Sequence, residues 1–274
     1  MSRSYTKEQL DKLANTLAKH AAVDELWCSK RPDTNEPWVG IEIEFYLKDS
    51  RFLRMLANSD IAKYVSVSED GSIEINQDDE LPDDWAESGD WNTFELQICS
   101  PESKIHQVLG KACSILRYVK AKTNSSCGLH VHIDHRIQTG RNPVVTFNNL
   151  LKMQGVLFGV TDPGREDSEY CQWVDNDSNF YSHMFRQMSE SDYDEDSRYY
   201  AINLIALRDS QTIEVRIFGG TTKYREICHY LNLVVGSIKS NQVEESITEN
   251  NVDIVKTIPY STRNFVKSKL RKVA

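Results

Sequence analysis

The sequence lacks the common signatures of membrane, secreted and zinc-finger proteins. No run of about 18 apolar residues occurs, and the opening segment MSRSYTKEQLDKL has no apolar core of about 7 to 15 residues, which a secretory signal needs. None of the 6 cysteines forms a CxxC pair, a spacing typical of zinc sites and redox motifs. We therefore expect a soluble cytoplasmic protein whose cysteines are reduced and pack as small apolar side chains.

Glycine-rich nucleotide motifs and covalent catalytic motifs are also missing. The sequence has no Walker loop, no Rossmann glycine pattern and no kinase signature. No combination of Cys, Ser and His has the spacing of a covalent catalytic centre, and we interpret Cys127, at the start of a strand-like segment, as a packing residue. Any nucleotide would therefore be held by metal ions and arginine rather than by a glycine cradle.

The composition is that of a folded acidic protein with an uneven distribution of charge. The chain has 274 residues, 39% of them hydrophobic, and a formal net charge of -9, which is enough apolar content for a sizeable core. Residues 69–90 contain ten acidic residues and no basic one, and residues 162–197 contain eleven acidic and two basic residues. These two acidic segments are either solvated loops or cation sites.

Apolar periodicity and capping signals predict five helices. The first covers about residues 6–23, where Thr6 and Gln9 form a capping-box pattern before an apolar stripe. The other four begin after Ser100-Pro101, at Asn142-Pro143 running toward Phe158, after Thr222 and after Ser261, the last of them being basic.

Strand-like segments lie between these helices, and apolar and polar residues alternate within them. The apolar residues of each segment share one face, which helices would cover, and the polar residues share the other. The apolar positions are Ile41, Ile43 and Phe45; Ile73 and Ile75; Phe94, Leu96 and Ile98; Leu129, Val131 and Ile133; Ile213, Val215 and Ile217. The polar positions are Glu42 and Glu44; Asp70, Ser72 and Glu74; Glu95 and Gln97; His130, His132 and Asp134; Glu214 and Arg216.

The polar face of this predicted sheet has two interpretations. Alternation by itself fits an antiparallel sheet with one solvated face. A solvated face usually carries Thr, Lys, Ser and Tyr with mixed charges, whereas this face carries mostly Glu, Asp and His with one Arg. Because neighbouring carboxylates repel and raise one another's pKa, such a cluster stays ionised only when cations neutralise it. We therefore favour a metal-binding face.

The side chains of this face indicate which cation it would bind. Carboxylates in excess over imidazoles favour Mg²⁺ or Mn²⁺ over zinc. The carboxylates exceed the need of one ion, so we expect two or three ions, an arrangement that suits a polyphosphate. Arg216 lies on the same face as Glu214, where it would bind a phosphate oxygen or, as the alternative, pair with Glu214 or Glu95.

Five motifs, in this order along the chain, resemble the amidoligase family of carboxylate-amine ligases, a group that includes glutamine synthetase and glutamate-cysteine ligase. They are GIEIEF at 40–45, EDGS at 69–72, FELQICSP at 94–101, GLHVHI at 128–133 and IEVRIFGGT at 213–221. Segments 165–171 and 198–203 also carry the likeness, which covers about residues 38–240.

This resemblance implies a fold and a domain organisation. The fold would be α+β and like that of glutamine synthetase, with a curved antiparallel sheet, helices on its outer face, and a concave face that binds ATP with two or three Mg²⁺ or Mn²⁺ ions. Residues 1–37 would form an N-terminal helical extension, residues 38–240 the catalytic domain, and residues 241–274 a C-terminal helical tail.

The resemblance also implies residue roles. The implied metal ligands are Glu42, His130 and Glu214 for one ion, and Glu44, Glu95 and Asp70 for another. Arg216 would contact the transferred phosphate, while His132 and Gly128 would lie beside nucleotide or substrate. Catalytic roles would fall to Arg216, Glu214 and His132. Asp134 and Glu74 have no counterpart in the family pattern.

The implied activity is the ATP-dependent joining of an amino-acid or peptide carboxylate to an amine. A carboxylate is a poor electrophile, so it would first accept the γ-phosphoryl group of ATP and become an acyl phosphate, which the amine then attacks. Asp167 or Glu166 is a candidate general base. The acidic segment around them, with Tyr170 and Trp173, is either a lid over the site or a solvated loop.

Two other functions remain open from the sequence. The same face would serve a metal-dependent phosphotransferase or phosphohydrolase, and the fold would also serve a non-catalytic binding or structural module. The expected partners are small-molecule or peptide carboxylates and amines, with no membrane. Nucleic acid is disfavoured because the basic tail at 267–272 is short and lacks interleaved aromatic residues. The motifs leave the substrates and the oligomeric state undetermined, because loops build substrate pockets.

Overall fold

The computed structural model describes residues 36–48, 51–75, 91–134, 143–174, 198–240, 243, 245–248 and 250–270. The helix predicted at 6–23 and the acidic stretch at 78–90 lie outside the described residues. Residues 175–197 of the second acidic segment lie outside them as well.

A six-stranded antiparallel sheet forms the centre of the described chain. The strands are β1 (Trp38–Leu47), β2 (Val65–Glu69), β3 (Asn92–Pro101), β4 (Gly128–Asp134), β5 (Ile202–Asn203) and β6 (Thr212–Gly219). Their order across the sheet is β2-β3-β1-β4-β6-β5, and each neighbouring pair is antiparallel. The sheet is open, with β2 and β5 at its edges. The predicted combination of helices with an antiparallel sheet is therefore confirmed.

The helices follow the predicted pattern with shifted starting points. They are α1 (Arg51–Ala57), α2 (Ile105–Tyr118), α3 (Pro143–Gly159), α4 (Ala206–Asp209), α5 (Tyr224–Lys239) and α6 (Tyr260–Leu270). Ser100 and Pro101 end β3 instead of capping a helix, and a 3₁₀ turn at Glu102–Lys104 leads into α2. Helices α1 and α4 are not predicted from the sequence. Among the described residues, no helix has the length and apolarity needed to cross a membrane.

The apolar face of the sheet packs against these helices. Ile41, Ile43 and Leu96 are fully buried and belong to the same core as Leu109 of α2 and Leu233 of α5. Each such side chain contributes roughly 1.5–3 kcal/mol when it leaves water. A slip of one residue in strand register would turn the acidic face of β1 into this core. Core packing therefore fixes which side chains face away from the helices.

The segment with Ile73 and Ile75 is not a strand, so this prediction is wrong. The strand of this region is β2, which ends at Glu69. Beyond it, Asp70 Oδ1 accepts hydrogen bonds from the Ser72 backbone N–H at 2.8 Å and from the Ser72 hydroxyl at 2.6 Å. This turn, in which an aspartate side chain replaces a backbone acceptor, is favoured by the Asp-Gly sequence and overrides the apolar alternation.

The described cysteines agree with the prediction of reduced packing residues. Cys99, Cys113, Cys127 and Cys171 are buried, Cys228 is half-buried, and none of these five forms a disulfide bond. Burial raises the pKa of Cys113 to about 12, so this thiol stays protonated and behaves as an apolar side chain.

Candidate functional site

The strand register brings the predicted polar residues together on the face opposite the core. Residues that are distant in sequence become direct neighbours across β3, β1, β4 and β6. The facing pairs are Glu44 with Glu95, Glu42 with His130, and His132 with Glu214. The pairing of strands, and not proximity along the chain, therefore assembles the site.

Oxygen and nitrogen atoms of these side chains form three groups in which the ligand atoms lie within 4.8 Å of one another. The groups are Glu42 with His132 and Glu214, Glu42 with Glu95 and His130, and Glu44 with Asp70 and Glu95. The last group is the set predicted for the second ion. Of the set predicted for the first ion, His130 Nδ1 lies 2.7 Å from Glu42 Oε2 and 3.5 Å from Glu214 Oε1, and His132 forms a ligand group with the same two carboxylates. Glu42 and Glu95 belong to two groups each, so bound ions would share ligands.

Gly128 lies at a close approach between β4 and the acidic cluster. Its backbone N–H donates a hydrogen bond to Glu44 Oε2 at 2.5 Å. A Cβ atom on Gly128 would lie 2.9 Å from His130 Nε2 and 3.2 Å from Glu44 Oε2, shorter than carbon packing contacts. A residue without a side chain is therefore required here if Glu44 and His130 are to keep their positions.

Glu42 and Glu214 are buried carboxylates that the neighbouring histidines and Arg216 keep ionised. Burial raises the pKa of Glu42, but His132 and His130 outweigh burial and hold that pKa well below its ordinary value. Burial likewise raises the pKa of Glu214, but Arg216 and His132 hold that pKa below its ordinary value. Both carboxylates are therefore charged and able to bind a cation.

The pKa of Glu95 lies above its ordinary value, unlike those of Glu42 and Glu214. Burial, together with the charges of Glu42, Glu44 and Asp70, raises the pKa of Glu95 to about 8, although Gln97 Nε2 donates to its carboxylate at 2.7 Å. The repulsion is what the sequence predicts for carboxylates on neighbouring strands. A cation bound between these groups would relieve it.

Arg216 lies at the edge of the acidic cluster and takes part in the ion pair predicted as an alternative. Its Nη1 atom is 2.5 Å from Glu214 Oε1, and its Nε atom donates to the backbone oxygen of Tyr170 at 3.2 Å. Burial lowers the pKa of Arg216, but Glu214 and Glu42 outweigh it and raise that pKa. The guanidinium also lines the cavity described below, where an anion would reach it.

A β-bulge in β6 and the buried Arg165 fix the backbone at Arg216. The register shift between Leu129 and Val131 places Arg216 and Ile217 opposite the single residue His130. Arg165 donates from Nη2 to the backbone oxygen of Arg216 at 3.1 Å and from Nε to that of Ile217 at 3.4 Å. Arg165 therefore supplies hydrogen bonds to the carbonyl groups at the bulge.

Asn203 orients Glu214 from the edge strand β5. Its Nδ2 donates to Glu214 Oε2 at 2.8 Å, and its Oδ1 accepts from the backbone N–H of Ile205 at 2.8 Å. This leaves Glu214 Oε1 facing His132 and Arg216. The sequence assigns no role to Asn203 or to Arg165. Its only signal for them is that both lie in the segments, 165–171 and 198–203, that carry the family likeness.

A cavity of about 940 Å³ opens over this face, at the upper end of the size range of small-molecule sites. All three ligand groups and Arg216 line it. Its remaining lining includes Glu69, Ser72 and Glu74 at and after the end of β2, Ser125 and Ser126 just before β4, and Asp167, Glu169, Tyr170, Arg198 and Tyr199 beside β5 and β6. The cavity therefore has room beyond the ions for a substrate of considerable size.

The remaining candidate residues divide between the cavity and the scaffold. Of the candidate bases, Asp167 lines the cavity. Tyr170 lines it too, whereas the Trp173 ring stacks on Phe158 with 5.1 Å between ring centroids. Asp134 is buried and accepts a hydrogen bond from the backbone N–H of Trp38 at 3.2 Å, a structural contact between β4 and β1.

Comparison with known proteins gives one family. A family model with the description "Putative amidoligase enzyme" matches residues 35–237, which is more than half of the chain and contains every site residue described above. A comparison with curated proteins gives no match.

Proposed function

The chain belongs to the amidoligase family, and from this we propose that it is an ATP-dependent ligase that joins an amino-acid or peptide carboxylate to an amine. Membership of the family supports ligase activity. The use of ATP, the metal ions, the acyl-phosphate step and the substrate class are our proposal. So is the closer likeness of the fold to glutamine synthetase, which the antiparallel sheet with one acidic face supports.

The observation that carries the proposal is the set of three ligand groups beside Arg216 in one cavity. The donor atoms are carboxylate oxygens with a minority of imidazole nitrogens, a set that suits Mg²⁺ or Mn²⁺. Bound ions of this kind would neutralise the oxygens of a polyphosphate and hold them in place. A cluster with an arginine at its edge is therefore suited to phosphoryl transfer.

Residues of this chain would bind and orient the reactants. Glu42, Glu44 and Glu214 would hold the ions from the sheet, and Arg216 would bind the phosphoryl group in transfer. The bond between the γ-phosphorus of ATP and its bridging oxygen breaks, while a substrate carboxylate oxygen bonds to that phosphorus, which gives ADP and an acyl phosphate.

The second step forms the amide. The amine nitrogen attacks the acyl carbon, the bond from that carbon to the phosphate oxygen breaks, and phosphate leaves. A carboxylate then takes the proton from the attacking nitrogen, and Asp167 is the candidate because it lines the cavity. The neighbouring Tyr170 would help to keep water from the acyl phosphate.

The proposal is tested by identifying the products that the protein forms. The protein is incubated with ATP, Mg²⁺ and pooled amino acids whose carboxylates carry ¹⁸O, and mass spectrometry follows ADP, phosphate and new amides. We expect an amide product and transfer of ¹⁸O into phosphate. Amide formation without that transfer would contradict the acyl-phosphate step.

The products of this reaction, together with thermal unfolding, distinguish the other candidate functions. Release of phosphate that needs no amine would favour a phosphohydrolase, and a phosphorylated acceptor without amide would favour a phosphotransferase. A thermal midpoint that does not change with Mn²⁺ and ATP would favour a non-catalytic module, because a ligand that binds only the folded state stabilises it.

A further inference from the structure

A chain of buried hydroxyl groups lies behind His132. His132 Nδ1 is 3.0 Å from Thr212 Oγ1, and Thr212 Oγ1 is 2.6 Å from Ser210 Oγ. Ser210 Oγ in turn donates to the backbone oxygen of Ala206 at 2.8 Å. Thr212, Ser210 and Ala206 are buried, so water does not compete strongly for these hydrogen bonds.

The direction of each hydrogen bond follows from the last one in the chain. A carbonyl oxygen only accepts, so the single hydroxyl proton of Ser210 is committed to Ala206. Ser210 Oγ then accepts the hydroxyl proton of Thr212, and Thr212 Oγ1 accepts the proton on His132 Nδ1. The hydroxyl chain therefore favours the form of His132 that carries a proton on Nδ1.

The other ring nitrogen points toward the acidic cluster. His132 Nε2 is 3.3 Å from Glu42 Oε1 and 3.6 Å from Glu214 Oε1. With the Nδ1 proton fixed, a neutral His132 presents its Nε2 lone pair to the same space as the two carboxylate oxygens. These three groups therefore stay together only with a positive charge between them, which is either a proton on Nε2 or a divalent cation that takes the place of that proton.

We propose that Thr212 and Ser210 are positioning residues that fix the ring orientation and proton position of His132, so that Nε2 binds a divalent cation together with Glu42 and Glu214. The inference rests on the proposed function, because it takes this group to be a metal site. Neither hydroxyl group contacts the cation; both act through His132. Partners of this kind behind a histidine ligand raise metal affinity by holding the correct ring nitrogen toward the metal.

The test compares Mn²⁺ affinity, measured by isothermal titration calorimetry without nucleotide, among four variants. Thr212→Val removes the hydroxyl group at similar volume, and we expect it to weaken Mn²⁺ binding at this site by about 10- to 100-fold. Thr212→Ser keeps the hydroxyl group and should retain the affinity of the unchanged protein. Ser210→Ala frees the Thr212 proton to approach Nδ1, which favours the wrong ring form and should also weaken binding.

Thr262→Val is the matched control, since buried Thr262 hydrogen-bonds to a histidine ring nitrogen, His229 Nδ1, at 3.1 Å. That pair joins α5 and α6 away from the cavity. We expect Thr262→Val to lower the thermal midpoint without changing Mn²⁺ affinity. Equal affinity losses in Thr262→Val and Thr212→Val would overturn the proposal, because they would indicate general destabilisation.

A metal-free measurement separates this inference from the proposed function. In ¹⁵N NMR spectra at alkaline pH, His132, assigned with a His132→Gln variant, should show a protonated Nδ1 and a lone-pair Nε2. The reverse pattern overturns the inference, whether or not Mn²⁺ binds. If the unchanged protein shows the expected pattern but binds no Mn²⁺, the metal site and the proposed function fail, and Thr212 and Ser210 position His132 for another ligand. If Thr212→Val does not fold, the spectra of the unchanged protein and of Ser210→Ala decide.

Discussion

Glu42 is shared between ligand groups and contacts both histidines of the site. It belongs to two of the three ligand groups, and it contacts both histidines, with His130 Nδ1 at 2.7 Å from Oε2 and His132 Nε2 at 3.3 Å from Oε1. A carboxylate with one oxygen toward each histidine is suited to bridge two ions. Alternation places Glu42 on the predicted metal-binding face and the family resemblance implies its ligand role, but neither shows that two groups share it.

Glu214 provides the most direct test of the metal site. Glu214→Gln keeps the shape and removes the charge that faces His132 and Arg216. We expect Mn²⁺ affinity to fall by about 100-fold or more and turnover of ATP by about 100- to 1000-fold, measured by calorimetry and by ADP release.

Glu74→Gln is the control for Glu214→Gln, since Glu74 lines the cavity but belongs to none of the three ligand groups. It should leave Mn²⁺ affinity close to that of the unchanged protein. If Glu214→Gln turned over ATP at the rate of the unchanged protein, the metal site would have no role in the mechanism.

Glu95 makes metal binding depend on pH. Its pKa is raised to about 8, so in the metal-free protein the carboxyl group is protonated near neutral pH and must lose its proton to bind a cation. We therefore expect Mn²⁺ affinity to rise between about pH 6 and about pH 9, as measured by titration calorimetry in several buffers. Affinity that is constant over this range would contradict the prediction.

The same group makes the stability of the metal-free protein depend on pH in the opposite direction. The folded state holds the Glu95 proton more tightly than the unfolded chain, so its stabilising contribution is lost as the pH rises through about 8. Glu95→Gln removes this loss. We expect this variant, without metal at about pH 9, to be more stable by on the order of 2 kcal/mol in urea unfolding, and to bind Mn²⁺ weakly.

At the scale of elements, the bulge in β6 is one feature that the sequence pattern does not predict. Regular alternation places Arg216 on the acidic face, but it does not show that the strand is interrupted opposite His130. The short 3₁₀ segments at Pro163–Asp167 and Glu169–Cys171 bring Arg165 and the Tyr170 carbonyl to that interruption. A loop distant in sequence thus supports the arginine predicted to bind phosphate.

Arg165→Met tests this support. It leaves the carbonyl groups of Arg216 and Ile217 without their hydrogen bonds from the guanidinium, which should cost about 1–3 kcal/mol of unfolding free energy for each group left unsatisfied. We also expect a raised KM for ATP, measured by ADP release, because Arg216 loses its fixed position.

The control for Arg165→Met is Arg263→Met on α6. Arg263 is also mostly buried and donates to the backbone oxygen of Ile258 at 2.7 Å, so its removal should lower stability without changing the KM for ATP. An equal change of KM in both variants would show that Arg165 acts only through stability.

Gly128→Ala tests the close approach between β4 and the acidic cluster. The added Cβ would displace the Glu44 and His130 side chains, so we expect weaker Mn²⁺ binding in calorimetry. Gly155→Ala is the control because a Cβ there meets nothing within 4 Å. On helix α3, it should raise stability by roughly 0.5–1 kcal/mol. Unchanged Mn²⁺ affinity in Gly128→Ala would show that the cluster tolerates displacement.

At the scale of the whole molecule, the chain beyond the family match is part of the same core. The match ends at residue 237, yet Val252, Ile258 and Val266 are buried in the main hydrophobic cluster. Lys269 of α6 pairs with Glu226 of α5 at 3.0 Å. The family motifs therefore account for the site, while residues after them complete the packing behind it.

Ile258→Ala measures how much this later segment stabilises the protein. Ile258 is fully buried and packs against Gly236 of α5, so we expect a loss of about 2–5 kcal/mol in denaturant unfolding. Tyr260→Ala is the control, since Tyr260 is 70% exposed and should change stability by less than about 0.5 kcal/mol. Equal effects would mean that the segment does not contribute to the core.

The local sequence pattern is enough to predict the strands β1, β3, β4 and β6, the helices α2, α3, α5 and α6 to within a few residues, and the acidic side chains of one sheet face. It is enough because the period of apolar residues is a local property that burial imposes on each element. The sequence pattern failed at Asp70, where a turn replaced the expected strand, and at α1, α4, β2 and β5.

Which of these side chains share a ligand group depends on the tertiary structure. Both His130 and His132 reach Glu42 and Glu214 because the register of β4 between β1 and β6 sets those distances. Arg165 and Asn203 reach the site from segments whose only signal is the family likeness, and no local pattern marks Thr212 or Ser210. Register and loop position depend on packing between elements distant in sequence, and that packing is a property of the folded molecule.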